Sequence, residues 1–232
     1  MSSSSVAHGH LFVVSAPSGA GKTTVVEEVI RLTPRLVRSR SYTSRKSRAG
    51  ETDGDAYHFI TRERFEAMKA GDQFLEWAEF SGNLYGTSEV DTERVLAGGD
   101  DLVLVIDVQG GRQVRRRGLP SVSVFLLPPS FEALERRLRS REQDTEEQIQ
   151  RRLAVAREEV KAVAEYDFVL INDTVGACVD GLQAIILADR ARRGGETGET
   201  SAQVLAMATR ARREEMAPMV APILAGFAPA RS

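Results

Sequence analysis

Residues 11–24 read Leu11-Phe12-Val13-Val14-Ser15-Ala16-Pro17-Ser18-Gly19-Ala20-Gly21-Lys22-Thr23-Thr24. The first five form an apolar, β-branched run of strand length, and Val25, Val26, Val29 and Ile30 follow at the spacing of one helix face. The order is therefore strand, Gly/Ser-rich turn, helix. Such a turn directs backbone N–H groups inward around an anion, and the helix adds the positive end of its dipole at the same point. Ser18, Gly19, Ala20, Gly21 and Thr24 are the expected cradle for a polyphosphate. Lys22 is the contact to the outer phosphates, and the Thr23 hydroxyl is a ligand for Mg²⁺ held with them. Ala16 stands where the strict pattern begins with glycine. An ordinary Gly-rich turn has no use for Lys22 followed by Thr23.

At 232 residues the chain is long enough for one full core with an inserted lobe, the organisation expected, although length alone would also allow two small domains. Lys and Arg total 31 against 33 acidic residues, so no positive excess advertises nucleic acid. No run approaches the ~20 apolar residues that cross a bilayer, and no membrane partner is expected. The one cysteine, Cys178, excludes an internal disulfide and a cysteine metal cluster, suits the cytoplasm, and reads as a small buried apolar residue. His8, His10 and His58 lack the spacing of a metal site, residues 1–9 are set apart as a flexible tail, and His8 and His10 are both expected to belong to a mobile tail. The sequence assigns no oligomeric state.

Downstream of the loop, polar, Arg-rich stretches alternate with short aromatic runs from 35 to 87, the pattern of an inserted lobe. Strands are expected at 36–42, 57–60 and 73–80, with a helix at 62–70. Ser41, Arg45, Arg48, Tyr57 and Tyr85 supply hydroxyls, guanidinium groups and phenols suited to a second phosphate. The core resumes with a strand at 102–106 that ends in Asp107, at the carboxyl edge where ligands gather in open parallel sheets. A strand at 122–127 and a helix bearing Phe131, Leu134 and Leu138 come next. Arg112, Arg115, Arg116 and Arg117 fall on an exposed helix without an assigned role. Polar residues 139–150 lead into a helix with Ile149, Leu153, Ala156 and Val160 on one face. The strand 168–171 ends at Asn172-Asp173, and a helix from 175 to about 190 closes the core. Residues 194–199 read as a linker, 201–216 as a helix with sparse apolar positions, and 217–232, with three prolines, as a tail. Partial disorder is expected there, and its removal is expected to leave stability unchanged.

Four stretches together resemble bacterial guanylate kinases, P-loop nucleoside monophosphate kinases that move the γ-phosphoryl group of ATP to GMP. They are the phosphate-binding loop; Ser41-Tyr42-Thr43-Ser44-Arg45-Lys46-Ser47-Arg48-Ala49-Gly50-Glu51; Phe74-Leu75-Glu76-Trp77-Ala78-Glu79-Phe80-Ser81-Gly82-Asn83-Leu84-Tyr85-Gly86-Thr87; and Ile171-Asn172-Asp173. The resemblance implies an α/β fold, a P-loop NTPase core with a parallel β-sheet flanked by helices. The core would take residues 10–38 and 89–193, a mixed α/β GMP-binding lobe 39–88, a helical lid 139–152, and a linker and tail 194–232. It also implies ATP and GMP, or dGMP, as substrates and Mg²⁺ as cofactor. By the same resemblance Arg48, Arg141 and Arg152 act with Lys22 on the phosphates, and Asn172 and Asp173 hold the adenine end of ATP. Ser41, Glu76 and Thr87 contact guanine, Arg45, Tyr57 and Tyr85 the GMP phosphate, and Asp107 lies near the acceptor.

The chemistry of the residues agrees. Guanine presents N1–H and its 2-amino group as adjacent donors, which one carboxylate, Glu76, can accept. Adenine presents an acceptor at N1 and would be rejected by it. Modules of this family that only bind peptides tend to lose the loop lysine, which is retained here as Lys22. The acceptor is itself a phosphate, so alignment and charge neutralisation are required rather than a strong base. Three positions depart from the family pattern: Ser47 stands where proline is frequent, Val105 where an acid is common, and Glu142-Gln143 where Gly-Thr often follows the lid arginine.

Overall fold

Leu11–Ser15 forms β1 with all five residues buried, as a run without polar alternation requires. The computed structural model describes residues 8–80, 82–140, 144–194 and 201–228. After β1 come α1 (Lys22–Leu32), β2 (Leu36–Arg38), β3 (Tyr42–Thr43), β4 (His58–Phe59), α2 (Arg62–Ala70), β5 (Phe74–Phe80), β6 (Asn83–Ser88) and α3 (Glu89–Ala97). They are followed by β7 (Asp101–Val105), α4 (Val108–Arg116), β8 (Ser121–Leu127), α5 (Phe131–Arg139) and α6 (Glu146–Glu159). A 3-10 segment Val160–Glu165, β9 (Phe168–Ile171), α7 (Val175–Arg192), α8 (Ala202–Arg210) and α9 (Arg213–Gly226) complete the order.

The described residues form two compact units, one of 8–13 with 35–122, the other of 14–34 with 123–228. In the first, β2, β7 and β1 are successive strands, and β2 pairs with β7 in parallel, Leu36 opposite Asp101. Leu11, Val13, Leu75, Leu102, Leu104 and Val114 form its core. A second sheet in the order β4-β3-β6-β5 mixes one parallel pair, β3 with β4, and two antiparallel pairs. It buries Phe65, Met68, Phe74 and Leu84. In the second unit β8 and β9 pair in parallel, Val124 opposite Phe168, and α1 and α7 pack together. Parallel strands flanked by helices beside a mixed sheet are the α/β architecture expected. Cys178 is buried, and burial pushes its thiol up to about 12.

Differences from the sequence reading have local causes. The strand expected over 36–42 is two, because β2 pairs with β7 while β3 belongs to the other sheet. The strand expected at 57–60 shortens to His58–Phe59. His10 is anchored: its N–H donates to Asp101 Oδ1 at 2.7 Å, and its carbonyl accepts from Leu102 N–H at 2.9 Å. Arg117 binds Asp72 and donates to the Phe74 carbonyl at 2.7 Å, tying the end of α4 to the start of β5.

The largest difference lies beyond residue 200: helix is found where 201–216 reads as one, and it continues through the proline-bearing stretch where partial disorder is expected. Val169 N–H donates to the Ala211 carbonyl at 2.8 Å and Arg213 N–H to the Asp167 carbonyl at 3.0 Å, so the segment satisfies backbone groups along β9. Ala208, Ala211, Val220 and Phe227 are buried. Pro218 and Pro222 sit inside α9, spaced four apart and hence on one face.

Candidate active site

The loop after β1 is shaped by its own glycines and by Asn172. Gly21 has φ +86°, a left-handed conformation that costs a side-chain-bearing residue energy, and a Cβ there would come within 2.8 Å of Asn172 Nδ2. Asn172 is buried and donates from Nδ2 to the Ala20 carbonyl at 2.6 Å. Its Oδ1 is buried without a hydrogen-bond partner among the described residues. Arg137 donates to the carbonyl oxygens of Asn172, at 2.8 Å, and Asp173, at 3.3 Å, fixing the turn that carries both. α1 begins at Lys22 with no side-chain cap hydrogen bond and no acid in its first turn, so no carboxylate of that turn offsets the positive end of its dipole. Arg152, from α6, donates to Ser18 Oγ from Nη2 at 2.8 Å and also pairs with Asp144. Glu159, from the end of α6, accepts the Ser18 N–H at 3.3 Å. Ser18, Ala20, Gly21, Arg152 and Asn172 are thus brought together. Thr23, Thr24 and Asp173 are exposed, and Arg141 lies outside the described residues, with Glu142 and Gln143.

A second cluster sits where β5 and β6 meet the first turn of α4. Glu76 and Thr87 face each other in antiparallel register. Both are buried, and the Thr87 hydroxyl donates to Glu76 Oε1 at 2.6 Å. Asp107 caps α4 by accepting the Gly110 N–H at 2.7 Å. A Cβ on Gly110 would stand 3.0 Å from Glu76 Oε2, so glycine permits the carboxylate to lie against the positive end of α4. The next residue, Trp77, is clamped through its backbone: its N–H donates to Gln113 Oε1 at 3.1 Å, and Gln113 Nε2 donates to its carbonyl at 2.8 Å. Lys69 Nζ lies over the indole, 3.7 Å from the ring centroid.

The basic turn of the same unit is organised by Glu51. Its carboxylate accepts from Arg45 Nη1 at 2.9 Å and Nη2 at 2.8 Å, and from the Arg48 N–H at 2.7 Å. The Arg45 guanidinium, then the Arg48 N–H, hold the Glu51 carboxyl at about 2, well below the usual carboxylate range. Glu51 in turn raises the pKa of Arg45, whose guanidinium lies 5.5 Å from the centroids of both Tyr57 and Phe59. Tyr57 and Tyr85 meet edge to face with centroids 5.9 Å apart. Arg45, Tyr57 and Tyr85 are therefore adjacent, and Arg48 is exposed beside them. Ser41 offers its carbonyl to the His58 N–H at 3.0 Å.

Sequence reasoning gave no part to Glu51, Arg137, Gly110 or Glu159. The spacing of Glu51, three after Arg48 and six after Arg45, was a usable signal: a turn with two arginines and one nearby acid invites a bidentate pair. This carboxylate orders the turn that Ser47 leaves without a proline. Arg137, Gly110 and Glu159 carry no comparable signal, because each acts on a group distant in the chain.

The family model for guanylate kinase matches residues 8–189. Guanylate kinase of Desulfitobacterium hafniense is 45% identical over 185 residues, covering 80% of this chain and 92% of that protein. The enzyme of Alkalilimnicola ehrlichii is 50% identical over 184 residues, 79% of this chain and 91% of that one. The crystal structure of guanylate kinase from Anaplasma phagocytophilum matches with a TM-score of 0.62 at 31% identity, covering 79% of this chain and 87% of that one. A family model spanning most of the chain, with relatives so similar over nearly their whole length, shows that the chain belongs to the guanylate kinase family.

Proposed function

We infer that this protein is an ATP:GMP phosphotransferase that uses the two clusters as donor and acceptor sites. The observation that carries the reading is the buried Glu76 carboxylate, oriented by Thr87, in a chain that retains Lys22 in an intact phosphate-binding loop. Glu76 accepts guanine N1–H and the 2-amino group, while Thr87 and Ser41 supply hydroxyls to the same base. Arg45, Tyr57 and Tyr85 hold the GMP phosphate and Arg48 adds charge to it. Asp107, at the start of α4, faces the acceptor nucleotide.

On the donor side the backbone of Ser18 to Thr24, open at the uncapped α1 terminus, receives the ATP phosphates. Lys22, Arg152 and Arg141 neutralise charge on the transferring group, and Asn172 and Asp173 serve the adenine end, Asn172 also holding the loop through Ala20. Mg²⁺ fits this donor set. Thr23 offers an exposed hard oxygen at the start of α1, as suits an ion held mainly by phosphates and water. Bound there, the ion supplies charge neutralisation across the donor phosphates. The acceptor phosphate oxygen attacks the γ-phosphorus and the bond to the β-phosphate breaks, giving ADP and GDP without a general base.

We divide the chain by role into a core of 10–38 and 89–193, a GMP lobe of 39–88 and a lid of 139–152. No helix among the described residues is long and apolar enough to cross a membrane. The reading puts the enzyme with its substrates in the cytoplasm, which the single, buried Cys178 supports. Incubation with Mg-ATP and GMP, dGMP or AMP separately, followed by ADP release, tests it. Turnover with the guanine nucleotides and none with AMP is expected; ADP release with AMP alone overturns it.

A further inference from the structure

We propose that the helical segment 201–228, which lies beyond the part matched by the family model, is a brace that positions the donor-phosphate arginine Arg152. Its point of action is the root of the α5–α6 segment. Phe131 opens α5 and Arg157 stands in the last turn of α6, so the two residues are the outer ends of the stretch whose middle is the lid. They meet: the Arg157 guanidinium lies 3.9 Å from the centroid of the Phe131 ring. Phe227 completes the joint. Its ring packs edge-on against Phe131 with centroids 5.3 Å apart at 87°, and its carbonyl accepts a hydrogen bond from Arg157. Phe227 is only 3% exposed, so it is built into the unit rather than resting on it.

The segment that delivers Phe227 is held independently of that joint. Ala211 is tied to β9 at Val169 and Arg213 to Asp167, just before that strand, by backbone hydrogen bonds, and Arg213 Nη1 donates to the Ala164 carbonyl at 2.5 Å. The brace thus runs from the sheet to the base of α6. From there α6 reaches the loop through two side chains, Arg152 on Ser18 Oγ and Glu159 on the Ser18 N–H. Arg157 lies between them in sequence. A rigid helix fixed at this end fixes where Arg152 stands, and loss of the anchor lets the arginine sample positions away from the phosphates.

The inference rests on the reading of Arg152 as a donor-phosphate ligand, and the test separates the two. Phe227→Ala and Arg157→Gln are compared with the full chain, each by KM for Mg-ATP, KM for GMP, kcat and circular dichroism. In both variants KM for ATP rises about three- to tenfold while KM for GMP stays within about twofold, and Phe227→Tyr restores the ATP value. In an Arg152→Ala background, Phe227→Ala adds less than about twofold, because the group it positions is gone. An unchanged KM for ATP in folded Phe227→Ala overturns the proposal, as does an equal rise in both KM values. If Phe227→Ala does not fold, Arg157→Gln decides by the same criteria, since it keeps the Phe131–Phe227 pair. An inert Arg152→Ala refutes the role given to that arginine and the positioning proposal built on it. An impaired Arg152→Ala beside an inert Phe227→Ala refutes the brace alone.

Discussion

The hydroxyl of Thr87 donates a 2.6 Å hydrogen bond to the carboxylate of Glu76, across the register of two antiparallel strands and within the protein interior. A buried carboxylate oxygen held in this way has one orientation to offer a ligand. On the proposed role of Glu76, the donor–acceptor pattern of guanine meets a group that is already placed.

Glu76→Gln presents an amide nitrogen where guanine also presents donors. Each lost charge-assisted hydrogen bond is worth about 1.5–3 kcal/mol, so kcat/KM for GMP should fall roughly 10¹- to 10⁴-fold at ~1.4 kcal/mol per tenfold. ATP affinity should be retained. Steady-state kinetics with each nucleotide varied in turn check both, and an unchanged kcat/KM for GMP removes Glu76 from the site.

Thr87→Val keeps the shape and deletes the orienting hydroxyl. One hydrogen bond to a charged group is lost, about 1.5–3 kcal/mol, and kcat/KM for GMP should drop roughly ten- to hundredfold. A drop confined to kcat with AMP discrimination intact would place the hydroxyl elsewhere in the reaction.

On the proposed role of Lys22, acting on charge that develops between the phosphates, Lys22→Ala should lower kcat by ~10²-fold or more with the fold intact. Near-normal ADP production by a folded variant would sink the assignment.

Glu51 gives a pH signature. Its carboxyl is held at about 2 by Arg45 and by the Arg48 N–H, against an ordinary value of 4.5. A depressed carboxylate contributes order that is complete above pH 4.5 and is lost as pH falls toward 2. The Glu51 carboxyl carbon, followed by NMR, should therefore titrate well below the ordinary glutamate value of 4.5, and Arg45→Gln should move it up toward that value, the Arg48 N–H remaining. Titration near 4.5 in the unmodified protein rules out the pairing.

Removing residues 196–232 should destabilise the protein, contrary to what composition suggests. Phe227 alone represents about 1.5–3 kcal/mol of apolar burial. At ~2–4 °C per kcal/mol for a chain of this size, the thermal midpoint should fall by roughly 3–12 °C. A calorimetric scan of the truncated chain matching that of the full one refutes this.

The elements legible in the sequence are those set by local pattern. Strand β9 is called to the residue, and α2 likewise, because an apolar run and a Thr-capped helix declare their own ends. The loop was legible because Gly21-Lys22-Thr23 has few other uses. The partition of 36–43 into strands of two sheets was not, since pairing partners such as Asp101 and Tyr85 are remote in the chain. α9 was hidden by Pro218 and Pro222, which oppose a helix interior by about 3 kcal/mol each. Its helical state depends on tertiary partners, among them Arg157 and Phe131, that no local window contains. In the candidate site Glu76 and Thr87 could be named from the family pattern, while Gly110, which lets α4 approach them, could not.

The position of Trp77 makes the proposed acceptor site open to an optical test. It is the one tryptophan in the chain, adjacent to Glu76, with its backbone pinned by Gln113 and an ammonium group over its ring. Nearby charge shifts and quenches indole emission, so a displacement of Glu76 by an entering base alters the environment of this fluorophore at the next residue. On the proposed role of Glu76, Trp77 is an intrinsic optical probe of guanine-nucleotide occupancy, readable by titration or stopped flow without a label.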